Sequence, residues 1–303
     1  MHLPRALVIS VATPFYRIGL HHRVPARIGR RIMDSSGGVQ LVPRGTVVRH
    51  VELAGRHAER VTVGATERPR AILYLHGGGY TVGSARLYRA LAANLARDSG
   101  AVVYNLDYRL APEHPYPAAL DDAVAAFRAL VDDHGFAPAR IGLAGDSAGG
   151  GLAVATARRL VDAGLPPAAL GLLSPWTDPS NEAHDISRDR VTNLKWGRIS
   201  AASYRGSADP RDPGYAPMHG NLAGLPPMLI HLASGEMLRP EILRFAALAR
   251  QADVDVEVVE HPTWWHSFHV LAGTLREATE AVRDLGTFLR AHLDASRSVS
   301  RPA

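Results

Sequence analysis

Short apolar runs alternate with stretches of helical period along most of the chain. In the helical stretches, apolar residues return every three to four positions, as on one face of a helix. The predicted strands are residues 47–53, 59–63, 71–75, 101–106, 141–144, 170–173, 228–233 and 254–259, and the predicted helices lie near residues 87–95, 117–131, 152–161, 240–251 and 275–292. This alternation indicates an α/β protein with a mostly parallel central sheet and helices on both faces.

Two stretches depart from the alternation. Gly55 separates the first two strands, which favours an antiparallel pair at the start of the sheet. Residues from about 177 to 205 are polar and contain Trp, and an insertion after a strand is typical of a substrate-covering cap. We expect an N-terminal cap segment at residues 1–45, a catalytic domain at 46–295 and a flexible tail at 296–303.

The composition of the chain argues against several classes of protein function. The chain has 303 residues, of which 46% are hydrophobic, so it can bury a sizeable core. Its net charge of +5 comes from scattered basic residues without a stripe of interleaved aromatics, which argues against nucleic-acid binding. The absence of cysteine excludes disulfides, thiolate metal sites and cysteine nucleophiles.

The N-terminal apolar run, residues 6–12, is weakly similar to a signal peptide but lacks a clear cleavage site. We therefore predict a cytoplasmic protein. No run approaches the roughly 20 apolar residues that a membrane-spanning helix needs. Peripheral membrane contact of the N-terminal segment, covering of the active site by that segment, and a homodimer are the open alternatives.

A candidate nucleophile lies in the sequence Gly-Asp-Ser-Ala-Gly at residues 145–149. This motif follows a predicted strand and opens a predicted helix, the context that G-x-S-x-G requires to expose Ser147 at a sharp turn. A Gly-rich turn that binds phosphate is the alternative. The sequence His-Gly-Gly-Gly at residues 76–79 also follows a strand and matches loops that donate backbone N–H groups to an oxyanion hole, which favours acyl transfer.

Acyl transfer on this kind of fold needs a carboxylate and then a histidine after the serine. His266 is the best candidate base because it lies in a loop between the last strand and the last helix; His269 and His231 are the fallback candidates. Glu236 directly follows a strand and is the favoured acid. The competing carboxylates in this interval are Glu241, Asp253 and Asp255. We expect no metal or organic cofactor, since His266 and His269 alone are too few ligands for a metal site.

Five ordered motifs make the chain similar to the hormone-sensitive-lipase family of bacterial esterases, also called family IV. They are residues 75–80 with 83–84, 107–113, 145–150, 174–176 and 225–227. The resemblance implies an α/β-hydrolase fold and a serine carboxylesterase that cleaves short- to medium-chain acyl esters. It implies Ser147 as nucleophile, His266 as base and Glu236 as acid. It also implies an oxyanion hole formed by the amides of Gly78, Gly79 and Ala148.

The chain departs from the family pattern at two places. Gly235 stands where family members usually have an acidic residue, and the bulky pair Trp264 and Trp265 precedes His266. The tryptophans could pack in the core or line the substrate site, and the sequence favours neither. Charged residues of the second motif, Asp107, Arg109 and Glu113, are expected to hold a loop by hydrogen bonds.

Three other functions compete with the esterase. An amidase, formamidase or lactonase could use the same triad and oxyanion hole. A non-catalytic ligand-binding homologue would usually lack a triad member, and none is missing here. An interfacial lipase would need an apolar lid, whereas residues 177–205 are polar and charged.

Overall fold

The central sheet and the helices around it follow the predicted alternation. The computed structural model describes residues 2–35, 40–64, 68–180, 189 and 191–295. The strands are β1 (Thr46–Leu53), β2 (Arg56–Val63), β3 (Ala71–Leu75), β4 (Val102–Leu106), β5 (Ile141–Asp146), β6 (Leu170–Leu173), β7 (Met228–Ala233) and β8 (Val256–His261). The helices are α1 (Arg5–Gly19), α2 (Ala26–Ser35), α3 (Arg89–Ser99), α4 (Ala118–Asp132), α5 (Ala148–Asp162), α6 (Leu194–Arg205), α7 (Arg239–Gln251) and α8 (Arg276–Ala295).

All eight strands form one sheet in the order β1-β2-β4-β3-β5-β6-β7-β8. Strand β2 runs antiparallel to β1 and to β4, and every other neighbouring pair is parallel. The predicted antiparallel pair at the start of the sheet is therefore confirmed. Parallel strands place their carboxyl ends at one edge, where the loops that follow β3, β5, β7 and β8 meet.

Two apolar cores lie on opposite faces of this sheet. In β3, Leu73 and Leu75 pack with residues of α4, α5 and α7, whereas Ile72 and Tyr74 pack with residues of α3 and α8. Side chains along a strand point alternately to either face. A central strand covered on both faces is therefore apolar throughout, which explains the uninterrupted hydrophobic runs that mark these strands in the sequence.

Most predicted elements lie within two residues of their expected positions, and several of the differences have physical causes. Strand β8 ends at His261, two residues beyond the prediction, because it pairs with β7 up to Ala233. Helix α5 begins at Ala148, directly after the Gly-rich turn. Helix α6 was not predicted, although Asn193 caps it by accepting a hydrogen bond from the Trp196 amide at 2.8 Å.

The N-terminal helices pack over the carboxyl edge of the sheet. Arg30 of α2 donates hydrogen bonds to the carbonyls of Thr81 and Ala111, both at 2.8 Å, and pairs with Glu113 at 2.7 Å. Together with α6, these helices form the predicted cap. Residues 181–188 and 190 of the predicted insertion and the predicted tail, 296–303, lie outside the described residues, and the domain boundaries stay predictions.

Candidate active site

The turn between β5 and α5 presents Ser147 toward the cap. Ser147 has a φ of 51°, a left-handed conformation that is costly for a serine. Its amide donates to the Leu173 carbonyl at 2.9 Å, and its carbonyl accepts from the Trp176 amide at 2.8 Å. A side chain at Gly149 would collide with the Leu75 carbonyl. The close approach of β3 to this turn is thus the physical reason for a glycine there.

Ser147, His266 and Glu236 form a continuous hydrogen-bonded chain. His266 Nε2 lies 2.8 Å from Ser147 Oγ, and His266 Nδ1 lies 2.7 Å from Glu236 Oε2. Glu236 follows β7 and uses its other oxygen to accept from the Ala233 amide at 2.9 Å. His266 and Glu236 are each only 5% exposed, so the charge of the carboxylate acts on the imidazole through little water.

Two opposing effects set the pKa of His266. Burial favours the neutral imidazole, but the hydrogen bond to Glu236 and the charge of that carboxylate favour the imidazolium. The net result is a raised pKa, with smaller contributions from Asp189 and Asp146. A raised pKa suits a residue that must take a proton from a hydroxyl group during a reaction.

The loop after β3 carries backbone amides that face the serine turn. None of the described residues accepts a hydrogen bond from the amides of Gly78, Gly79 or Ala148, and Gly78 lines the same cavity as Ser147. Because the Ala148 amide is also the first of α5, the helix dipole adds positive potential there. These three amides are therefore available to a developing oxyanion.

Asp146 holds this loop in place, a role that the sequence analysis missed. Its Oδ1 accepts from the Gly77 amide at 2.8 Å and the Tyr74 hydroxyl at 2.9 Å, while Oδ2 accepts from Tyr88 at 3.1 Å. Burial raises the pKa of Asp146, and these three hydrogen bonds oppose the rise. The only signal in the sequence was an acidic residue at the variable position of G-x-S-x-G.

A small cavity of about 50 Å³ opens above Ser147. Its walls come from the catalytic loops, which supply Gly78, His266 and Trp265, and from the cap, which supplies Tyr16, Met33 and Trp196. A larger apolar groove of about 420 Å³ adjoins it and shares Tyr16, Leu87, Val270 and Leu271 with it. Both predicted cap segments thus line the space in front of the nucleophile candidate.

Comparison with known proteins places this geometry in a family. Residues 72–270, more than half of the chain, match the family model of the alpha/beta hydrolase fold. The chain belongs to the α/β-hydrolase family. An acetyl-hydrolase of Streptomyces hygroscopicus is 40% identical over 271 residues, which cover 88% of this chain and 89% of that protein.

Further relatives place this α/β-hydrolase among bacterial esterases. The carboxylesterase NlhH of Mycobacterium tuberculosis is 34% identical over 240 residues, 73% of each chain. A crystal structure of an esterase from the bacterial hormone-sensitive lipase family has a TM-score of 0.89 at 33% identity, covering 96% of this chain and 100% of that one. The predicted fold and the predicted family resemblance are both confirmed.

The alternative acids and bases of the sequence analysis lie elsewhere in this α/β-hydrolase. Glu241 accepts hydrogen bonds from the amides of Thr177 and Asp178, at 2.7 and 2.8 Å, and burial raises its pKa to about 8. Asp253 and Asp255 lie at the turn before β8. His231 and His269 contact each other and His261 instead of Ser147. Of these candidates only Glu236 and His266 join the serine.

The two departures from the family pattern lie next to each other in the structure. The Gly235 amide donates to the Trp264 carbonyl at 3.2 Å, and a Cβ at position 235 would lie 2.7 Å from that oxygen. The two tryptophans have different roles. Trp264 stacks on Phe268 with ring centroids 5.0 Å apart, whereas Trp265 lines the cavity. Both tryptophans thus pack in the apolar core, and Trp265 also lines the cavity above Ser147.

The charged residues of the second motif hold the loops around β4. Asp107 accepts from the Ala85 amide at 2.5 Å, and its other oxygen lies 2.7 Å from His57 Nδ1. Arg109 pairs with Asp122 at 2.7 Å. Glu113 pairs with Arg30 of the cap, which lowers the pKa of Glu113 to about 2. These contacts support the structural role that the sequence predicted for them.

Proposed function

We propose that this protein is a serine carboxylesterase in which Ser147 attacks the ester carbonyl. The enzyme class, a carboxylic ester hydrolase, is confirmed by the family and by the esterases that the chain resembles. The observation that carries the catalytic assignment is the hydrogen-bonded chain from Ser147 Oγ through His266 to Glu236, with steps of 2.8 and 2.7 Å. This arrangement can activate a hydroxyl nucleophile.

The geometry supports a two-step reaction. His266 Nε2 takes the proton of Ser147 Oγ as that oxygen bonds to the carbonyl carbon, and the amides of Gly78, Gly79 and Ala148 stabilise the oxyanion. His266 then protonates the leaving alcohol, which leaves an acyl-enzyme. A water molecule, deprotonated by His266, then attacks the acyl carbon, and the acid and free Ser147 are released. Glu236 keeps the imidazole oriented and stabilises the imidazolium without accepting a proton.

The size of the site supports short- to medium-chain acyl groups. The cavity of about 50 Å³ above Ser147 is bounded by Trp196 and Trp265, which leaves room for a small group. A longer chain has to enter the adjoining apolar groove past Tyr16. An amidase, formamidase or lactonase is not favoured, because the relatives described above are named as esterases and an acetyl-hydrolase.

Location and assembly remain predictions for this esterase. No helix in the described part of the chain is long and apolar enough to cross a bilayer. Helix α1 exposes Leu7, Val11 and Ile18 by half or more of their surface. This face supports the predicted peripheral membrane contact and equally a homodimer, which vesicle sedimentation and light scattering distinguish. Cell fractionation tests the predicted cytoplasmic location.

Hydrolysis of p-nitrophenyl esters from acetate to palmitate tests the proposed function. We expect the highest kcat/KM at two to six acyl carbons, and a loss of at least about 10³-fold in Ser147→Ala. Ser207→Ala is the matched control because Ser207 does not line the cavity; it should keep wild-type activity. Equal activity of wild type and Ser147→Ala would overturn the assignment, and a preference for palmitate would overturn the chain-length proposal.

A further inference from the structure

Three histidines meet behind the loop that carries His266. They are His231 in β7, His261 at the end of β8 and His269 in the short 3₁₀ turn Phe268–Leu271. One ring nitrogen from each lies within 4.8 Å of the other two. His231 and His269 have no exposed surface, and His261 is partly exposed. The cluster is separate from the Ser147 cavity, whose lining includes none of the three.

The hydrogen bonding of this cluster is incomplete. His261 Nε2 lies 2.9 Å from His231 Nδ1, so one of these nitrogens donates to the other. Both nitrogens of His269 are buried, and neither has a hydrogen-bond partner among the described residues. A neutral imidazole always has one N–H donor and one lone pair to satisfy. Because buried polar atoms are nearly always satisfied, His269 points to a ligand that binds between the rings.

We propose that His231, His261 and His269 bind one divalent transition-metal ion, with Zn²⁺ as the best fit. Imidazole nitrogen is a preferred ligand of Zn²⁺, whereas Mg²⁺ and Ca²⁺ need oxygen ligands. Zn–N bonds of about 2.0–2.1 Å place tetrahedral ligand atoms roughly 3.3 Å apart. The widest nitrogen separation must therefore shrink by about 1.5 Å, a change that small side-chain rotations supply.

The outer surroundings of the cluster match those of histidine metal sites. Asp284 of α8 lies 3.2 Å from His231 Nε2, so His231 binds the ion through Nδ1 while the carboxylate orients its ring. A carboxylate behind a metal-binding histidine is a common arrangement. His261 is partly exposed, which gives the ion a route from solvent. Water completes the coordination, because Asp284 faces the nitrogen of His231 that does not bind the ion.

Burial affects how readily the rings of this cluster take up a proton. Burial lowers the pKa of His261 to about 4 and the pKa of His269 well below its usual value. Burial thus disfavours the charged form of both rings, and the neutral imidazole is the form that binds metals. The charge of the ion is partly balanced by Asp284, whose pKa is lowered mainly by its contact with His231.

An ion bound by the three histidines would connect the loop that carries Glu236 with the loop that carries His266. His261 ends β8, and its carbonyl accepts from the Ser234 amide at 3.0 Å, two residues before Glu236. His269 follows His266 by three residues. The bound ion therefore stabilises the positions of both loops without touching the reacting atoms. Its expected effect is on stability first and on activity only through the loops.

Metal titration of the tag-free, full-length protein tests this proposal. After removal of metals by chelation and dialysis, ZnSO₄ is added, and bound zinc is measured by atomic emission. We expect one zinc per chain and a Tm higher on the order of 5 °C at saturating zinc. Replacement of zinc by Co²⁺ should give the visible absorption bands of a tetrahedral nitrogen site.

Two variants and a matched control separate this site from weak surface binding. His261→Gln removes a partly exposed ligand and should weaken zinc binding at least tenfold; Asp284→Asn should weaken it less. The control is His57→Gln, since His57 lies 2.9 Å from His50 and 2.7 Å from Asp107 but has no third histidine.

Three results would overturn the proposal. They are less than half a zinc per chain at saturation, a Tm that zinc leaves unchanged, and equal affinity in wild type and His261→Gln. The last result would place zinc at a surface histidine. Loss of ester hydrolysis in Ser147→Ala is independent of all three, so the two proposals can fail separately.

Discussion

The two halves of the proposed site are held in different ways. Ser147 and the loop at residues 77–79 follow β5 and β3, two neighbouring central strands whose residues are all buried. Glu236 and His266 lie in loops after β7 and β8, and β8 is a partly exposed edge strand of the sheet. The nucleophile half is thus built into the core, whereas the acid–base half depends on contacts between loops.

This difference predicts how each half responds to substitution. The serine turn is fixed by backbone hydrogen bonds on both sides and by three hydrogen bonds to Asp146. The acid–base loops are joined to each other by loop contacts, including the amide of Gly235 to the carbonyl of Trp264 and the amide of Thr263 to the Ser234 hydroxyl. Changes in the first half should affect kcat, and changes in the second should affect stability as well.

The largest effect in this comparison is expected for Glu236→Gln. Loss of the carboxylate removes the charge that raises the pKa of His266. We expect kcat to fall about 10²- to 10⁴-fold. His266 must be neutral to act as base, so activity is lost below its pKa. A lower pKa therefore moves the acid limb of kcat/KM to lower pH, which a pH profile measures.

Glu241→Gln is the matched control for this change. Glu241 is also a buried glutamate of the same region, but it hydrogen-bonds to residues 177 and 178 and has a pKa of about 8. Since it is mostly protonated near pH 7, an amide resembles its normal form. In Glu241→Gln, the acid limb of the kcat/KM profile should therefore lie at the same pH as in wild type. An acid limb that moves equally in both variants would contradict the pairing of Glu236 with His266.

A smaller effect is expected for Asp146→Asn in the nucleophile half. An amide oxygen is a weaker acceptor than a carboxylate, so the hydrogen bonds from Tyr74 and Gly77 weaken, and Tyr88 must turn its hydroxyl to accept from the new N–H group. Displacement of the loop weakens the oxyanion contacts, and we expect kcat to fall about 10- to 100-fold with little change in KM. Steady-state kinetics measures this split. A rise in KM alone would show that Asp146 acts on substrate binding instead.

The smallest effect is expected for Gly235→Ala in the acid–base half. The added Cβ would lie 2.7 Å from the Trp264 carbonyl, so the two loops must separate slightly. We expect a cost of about 1–3 kcal/mol and a Tm lower by several degrees. Gly197→Ala is the control because a Cβ there meets nothing within 4 Å and alanine favours the helix. Thermal unfolding that ranks the two variants in the opposite order would contradict the account.

The sequence predicts the nucleophile half better than the acid–base half. The serine turn is a local feature, because a strand, five residues and a helix determine it. Its motif could be placed from the sequence alone. Glu236 could be distinguished from Glu241, Asp253 and Asp255 only by its position after β7. The residues around each carboxylate do not show which one reaches His266.

The remaining features depend on contacts between distant residues. Helix α1 was not predicted, and Pro14 inside it reads as a helix breaker. The role of Asp146 requires Tyr74 and Tyr88, which lie more than 50 residues away. The histidine cluster joins β7, β8 and the turn after His266, so no single stretch of sequence shows it. Such contacts become visible only in the folded chain.

Covalent labelling with a fluorophosphonate tests the central claim most directly, because this reagent bonds to an activated serine oxygen. We predict a mass increase of one adduct per chain in wild type, with the modified peptide carrying the label on Ser147. Ser147→Ala should remain unlabelled, and Glu236→Gln should react more slowly. An adduct on another residue, or equal labelling of wild type and Ser147→Ala, would contradict the assignment of Ser147 as the nucleophile.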